Sequence, residues 1–109
     1  MPSRAVINPC KEKKVAAYVI ANIKVTDPAG YGGYKKLAGP AIEACGGRYL
    51  VRGGKTDVLE GEWHPERMVV LEFDSVDKAR AWWGSTQYAA AKKIRQRTAI
   101  SSVIIVEGM

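Results

Sequence analysis

The sequence predicts an α+β fold, a four-stranded antiparallel sheet with helices on one face, and three observations carry that prediction. Segments of alternating polarity occur near the start, in the middle and at the end of the chain. Two stretches with apolar stripes at helical spacing lie between them, each opened by a capping residue. The order strand, helix, strand, strand, helix, strand closes most simply as two strand–helix–strand units with right-handed crossovers. With 109 residues, 47% hydrophobic and 26% charged, the chain has the size of one domain and a composition neither disordered nor fibrous.

Residues 1–14 lack periodicity and carry Pro2, Pro9 and mixed charge, so they read as a flexible basic extension ahead of a single domain over 15–109. The alternation over 16–25 puts Ala17, Val19, Ala21, Ile23 and Val25 on a dry strand face and Tyr18, Ile20, Asn22 and Lys24 on a mixed one. Thr26-Asp27-Pro28 starts a helix, because a Thr or Asp oxygen can accept from the free first-turn amides and proline fits the first helical position. That helix should run to about Cys45, with Tyr31, Tyr34, Leu37 or Ala38, Ala41, Ile42 and Cys45 inward, a kink at Pro40, and an end at Gly46-Gly47.

A strand follows over 48–52, with a bulge or bend expected at Gly53-Gly54 and the strand resuming through Val58 and Leu59. After the turn at 64–67, residues 68–73 are the most strand-like of all, which implies a hairpin. Asp74 or Ser75 caps a helix over 76–83, and Ser85 caps another to about Arg97 with Tyr88, Ala91 and Ile94 or Arg95 on one side. Residues 100–107 form the last strand.

The formal net charge is +6, and half of the excess lies in 1–14, where Arg4, Lys11, Lys13 and Lys14 face Glu12 alone. A second basic cluster, Lys92, Lys93, Arg95 and Arg97, reads either as a solvated helix face or as a contact for an acidic partner. It has neither a nucleic-acid motif nor interleaved aromatics, so nucleic acid is not the expected partner. Two cysteines, Cys10 and Cys45, and one histidine, His64, cannot supply a four-ligand Cys/His zinc cage, and no metal is expected. Both cysteines read as reduced thiols of a cytoplasmic protein. No run approaches the ~18 apolar residues of a membrane span, so no membrane association is expected.

With helices on one side, the mixed sheet face (Tyr18, Ile20, Asn22; Leu50, Arg52; Met68, Val70, Glu72) needs a cover. The segments TDPAGYGGY, LAGPAIEACGGRYLVRGG, VLEGEWHPER, VVLEFDSVDKARAWWGSTQY and VIIVEG, in that order over residues 16–108, resemble the small bacterial proteins of domain of unknown function family 1330, in the dimeric α/β-barrel superfamily. The resemblance implies a ferredoxin-like sandwich, a homodimer with sheets face to face, and a cavity between sheet and helices. It implies no reaction.

Arg52 and Glu72 each interrupt an apolar strand face, and on an unbroken hairpin they share one side of the sheet. They read either as an ion pair holding the sheet or dimer seam, or as an anion-binding arginine with a carboxylate to orient the ligand or move a proton. His64, the one side chain that ordinarily titrates near neutrality, is the default general base, although its His-Pro turn argues for exposure. Tyr31, Tyr34, Trp63, Trp82, Trp83 and Tyr88 are either core or the lining of an aromatic site. Gly53-Gly54-Lys55-Thr56 lacks the phosphate-loop pattern, and Ser75 and Ser85 are better explained as caps than as nucleophiles.

The candidate catalytic residues are therefore Arg52, Glu72 and His64, and the candidate ligand-binding set is Tyr18, Asn22, Tyr31, Arg52, Glu72, Trp82 and Trp83. The expected function is binding of a small aromatic or anionic molecule by a homodimer, compatible with enzymatic activity that needs no cofactor. The alternative is a non-catalytic interaction module using its basic helix.

Overall fold

The computed structural model describes residues 15–109. The basic extension expected for residues 1–14, with Cys10, lies outside the described residues. The elements are β1 (Ala17–Val25), α1 (Pro28–Ala44), β2 (Arg48–Arg52), β3 (Met68–Phe73), α2 (Val76–Trp83), α3 (Thr86–Thr98) and β4 (Ala99–Glu107). All strand pairs are antiparallel and the sheet order is β2-β3-β1-β4, the ferredoxin-like arrangement with both hairpin strands on one side of β1.

The three expected caps form. Asp27 Oδ1 accepts from Gly30 N at 3.2 Å, Ser75 Oγ from Lys78 N at 3.1 Å and Ser85 Oγ from Tyr88 N at 3.1 Å, each satisfying a first-turn amide. α1 is one element through Pro40 and gives way to Gly46 at φ +84, a left-handed position that favours glycine. Of its alternatives at one inward position, Ala38 is buried and Leu37 exposed. On α3 the side chain buried beside Tyr88 and Ala91 is that of Arg95.

β1 alternates as expected, with Ala17, Val19, Ala21 and Ile23 buried. Together with Leu71 and Phe73 of β3 they form the floor on which Ala38, Ala41 and Ile42 of α1, Trp82 of α2 and Tyr88 of α3 pack. The other face carries Ile20, Val51, Val70, Ile100, Ile104 and Val106 by register, and none of the described helices covers it.

One expectation about the middle of the chain is corrected. No strand resumes at Val58 and Leu59; residues 53–67 carry no strand, and Leu59 is almost entirely exposed. Gly53 supplies the bend, at φ +71, but the bulge falls earlier, between Tyr49 and Val51, where Tyr49 pairs with Leu71 and Val51 with Val70, so Leu50 is an extra residue. One inserted residue moves every later side chain to the opposite face.

Candidate functional site

The bulge at Leu50 decides the site. Without it, Arg52 would stand on the Glu72 side of the sheet; with it, Arg52 pairs with Val69 and shares the helix-facing side with Tyr49, its guanidinium 4.6 Å from that ring's centre. Within the chain, the expected Arg52–Glu72 pair is thereby corrected. Glu72 stays on the uncovered face and is held by Arg48, its register partner, with Nη2 at 3.0 Å from Oε1.

Arg67 arrives on the helix-facing side by a second route. Its carbonyl accepts from Ile23 N at 2.8 Å, which extends the β3 ladder by one residue and gives residue 67 the orientation of Val69 and Leu71. Its guanidinium lies 5.9 Å from the Tyr31 ring centre and packs directly on Gly53.

Between these arginines, α1 and the sheet is a cleft of about 460 Å³ counted to its open mouth, whose enclosed part has room for about one water. Tyr31, Tyr34, Tyr49, Trp82 and Tyr88 give it aromatic walls, and Lys35, Arg52 and Arg67 make its charged lining. Among the described residues no acidic side chain lines it. Two buried donors among these residues, Arg67 Nε and Trp82 Nε1, have no hydrogen-bond partner among the described residues. A buried donor without an acceptor costs ~1–3 kcal/mol, so an acceptor reaching either atom would add stability.

Tyr34 connects the cleft to the interior. Its hydroxyl is 3.0 Å from that of Tyr88, and Arg95 Nε donates to Tyr88 Oη at 3.4 Å. Burial, then the neighbouring Tyr88, pushes the Tyr34 phenol well above its ordinary range, while Arg95 opposes the shift. Tyr34 therefore enters the cleft as a neutral hydroxyl that can donate or accept. Tyr49 is also raised, by burial against the opposing Arg52 charge.

Of the candidate set, the structure brings Tyr31, Arg52 and Trp82 together in the cleft. Tyr18, Asn22 and Glu72 are on the opposite sheet face, and Asn22 Oδ1 there accepts from Glu66 N at 3.1 Å. Trp83 lines the grooves beside β4. His64 and Trp63 are exposed in the 53–67 segment and line no part of the cleft. The basic cluster of α3 is not one solvated face: Arg95 is 3% exposed and Lys92 Nζ donates to Trp83 O at 2.7 Å. Sequence reasoning missed Arg67, Lys35 and Tyr49; the odd-number alternation that β3 shares with residue 67 was the available signal for Arg67. Among the described residues no group of three His, Cys, Asp or Glu side chains could hold a metal, and no helix is long and apolar enough to cross a membrane.

A family model described as a domain of unknown function (DUF1330) matches residues 16–109. Comparison with curated proteins yields no match. Among solved structures, a protein of unknown function from Rhodopseudomonas palustris is similar, with a TM-score of 0.71, 20% identity and coverage of 88% of this chain and 84% of that one. SnoaB, a cofactor-independent oxygenase from Streptomyces nogalater, gives 0.57 at 11% identity over 88% and 94%. A conserved protein from Methanosarcina mazei gives 0.57 at 13% over 92% and 99%. At these identities the likeness is one of fold.

Proposed function

The chain belongs to the domain of unknown function family DUF1330, a membership that brings no activity with it, and from the cleft itself we propose that the protein binds a small aromatic anion between sheet and helices. The observation that carries this reading is the lining among the described residues: three cations, five aromatic rings, two unpartnered buried donors and no carboxylate. An anionic group meets Arg67 and Arg52 as charge-assisted hydrogen bonds, each worth ~1.5–3 kcal/mol, and an aromatic body lies against Tyr31 and Tyr34. Arg67 and Lys35 swing aside on entry, because the enclosed part has room only for water.

Side chains for nucleophilic or acid–base work are sparse here. Tyr34 is a neutral hydroxyl and His64 is elsewhere, so binding and orientation are what the residues supply. An activity without a cofactor, such as the name of the Streptomyces protein states for that protein, would draw its reactivity from the bound molecule. The interaction-module alternative is weakened by Arg95 and Lys92, which turn inward rather than presenting charge.

The reading includes a homodimer through the uncovered sheet face. Ile100, Ile104, Val106 and Val51 there are 68, 55, 40 and 40% exposed. A second copy would bury them in an interface of the ordinary ~800 Å² per partner.

The test is a thermal-shift titration of the whole protein with 2-naphthoate and, as the uncharged control, 2-naphthalenemethanol. A ligand that binds only the folded state raises Tm with concentration. The expected result is a rise with the carboxylate that Arg67→Met abolishes and Glu72→Gln leaves intact. Equal shifts with the alcohol, or none with either compound, would overturn the proposal.

A further inference from the structure

A second polar site lies away from the cleft, in the groove between the last turns of α3 and the start of β4. Arg95, Gln96 and Ser101 line this groove, with Trp83, Ile100 and Val103 beside them. Arg95 is 97% buried by complement of its 3% exposure, its Nε is committed to Tyr88 Oη, and its Nη2 has no partner among the described residues. Ser101 Oγ is buried and equally without a partner. The register explains its position: Ser101 pairs with Ile23 and so faces the helices, where an apolar side chain would be the default.

Charge around the groove has one sign. Arg95 Cζ is 5.6 Å and Lys92 Nζ 4.4 Å from the Trp83 ring centre, and no carboxylate lies within 4 Å of either cation among the described residues. A buried guanidinium without a counter-ion is costly, and the cost falls when an anion accepts its free N–H groups. We infer that this groove is a site for a small organic carboxylate, one oxygen taking the Arg95 Nη2 hydrogen and the Ser101 hydroxyl while the hydrocarbon part lies on Trp83, Ile100 and Val103. The two unpartnered buried groups, Arg95 Nη2 and Ser101 Oγ, suit one carboxylate oxygen, and Trp83, Ile100 and Val103 offer an alkyl tail apolar surface that inorganic phosphate would leave unused. This site does not depend on the cleft proposal, since none of its polar groups lines the cleft.

The experiment titrates hexanoate into the full-length protein, read by Trp fluorescence and Tm, with hexanol and phosphate as controls. Hexanoate is expected to quench or shift the emission and raise Tm, and the controls to do neither. Ser101→Ala, which removes one hydroxyl and little volume, should weaken hexanoate about tenfold. Arg95→Lys, which keeps charge but loses the fork, should weaken it at least as much. Arg67→Met should leave it unchanged. Affinity for hexanoate equal in wild type, Ser101→Ala and Arg95→Lys, or hexanol or phosphate binding as well as hexanoate, would overturn the inference; Ser101→Ala keeps the test open should the arginine variant fail to fold.

Discussion

Arg48 reaches from β2 to Glu72 of β3 with both Nε and Nη2 at 3.0 Å from the same carboxylate oxygen, Oε1. The pair sits at a register position of the hairpin on the sheet face that none of the described helices covers. Its side chains are 54% and 20% exposed, so screening limits its worth to at most ~1 kcal/mol in the isolated chain. A double-mutant cycle of Arg48→Met with Glu72→Gln, measured by chemical denaturation, should give a coupling of that size. The cycle of Arg52→Met with Glu72→Gln should give none, because the sheet separates them. Coupling between Arg52 and Glu72 would contradict the bulge.

That relationship also marks where the sequence stops being legible. The element order, the three caps and the dry face of β1 follow from local chemistry: period-two alternation, short polar side chains before helices, and glycine after them. The site residues do not, because their side of the sheet depends on parity counted through Leu50, where nothing in the sequence announces an extra residue. A pair such as Gly53-Gly54 suits a bulge or a bend, and the chain uses Gly53 for the bend, at φ +71, with its amide donating to Met68 O at 2.8 Å. Arg95 was ambiguous for another reason. In a run of four cations, helical spacing puts it in line with Tyr88 and Ala91, and charge argues for solvent; packing against Tyr34 and Trp83 decides the matter.

Gly53 is expected to be intolerant where Gly54 is not. Gly53 has a positive φ, and a Cβ there would collide with the Arg67 guanidinium, whereas a Cβ on Gly54 meets nothing within 4 Å. Gly53→Ala should cost ~1–2 kcal/mol from the left-handed backbone alone and displace Arg67 from the cleft, weakening 2-naphthoate. Gly54→Ala should be near neutral in both. Denaturation midpoints and the ligand titration read the two effects separately.

The raised Tyr34 phenol makes a prediction for alkaline pH. In the unfolded chain it ionises around its ordinary value of ~10, while the folded state keeps the proton to higher pH. Above ~10 the folded state therefore binds more protons, so stability is full below that pH and falls as pH rises, by up to ~1.4 kcal/mol per unit from this one group. The difference between wild type and Tyr34→Phe, measured by denaturation from pH 9 to 11, should show that slope. Parallel profiles would mean Tyr34 ionises freely.

The uncovered sheet face gives the last prediction. Ile104 pairs with Ile20 at the centre of the β1–β4 ladder, points away from the helices and is 55% exposed. In a dimer through this face a charge at position 104 would be desolvated without a partner, at a cost of several kcal/mol, whereas in a monomer it would stand in water at little cost. Ile104→Asp should therefore convert a dimer to a monomer while the circular dichroism of the chain stays that of the wild type. Multi-angle light scattering at micromolar concentration reads the mass of both. A wild type of monomer mass would remove the dimer from the proposal. An Ile104→Asp protein that remains dimeric would move the interface off this face and leave Ile100, Ile104 and Val106 still in need of a cover.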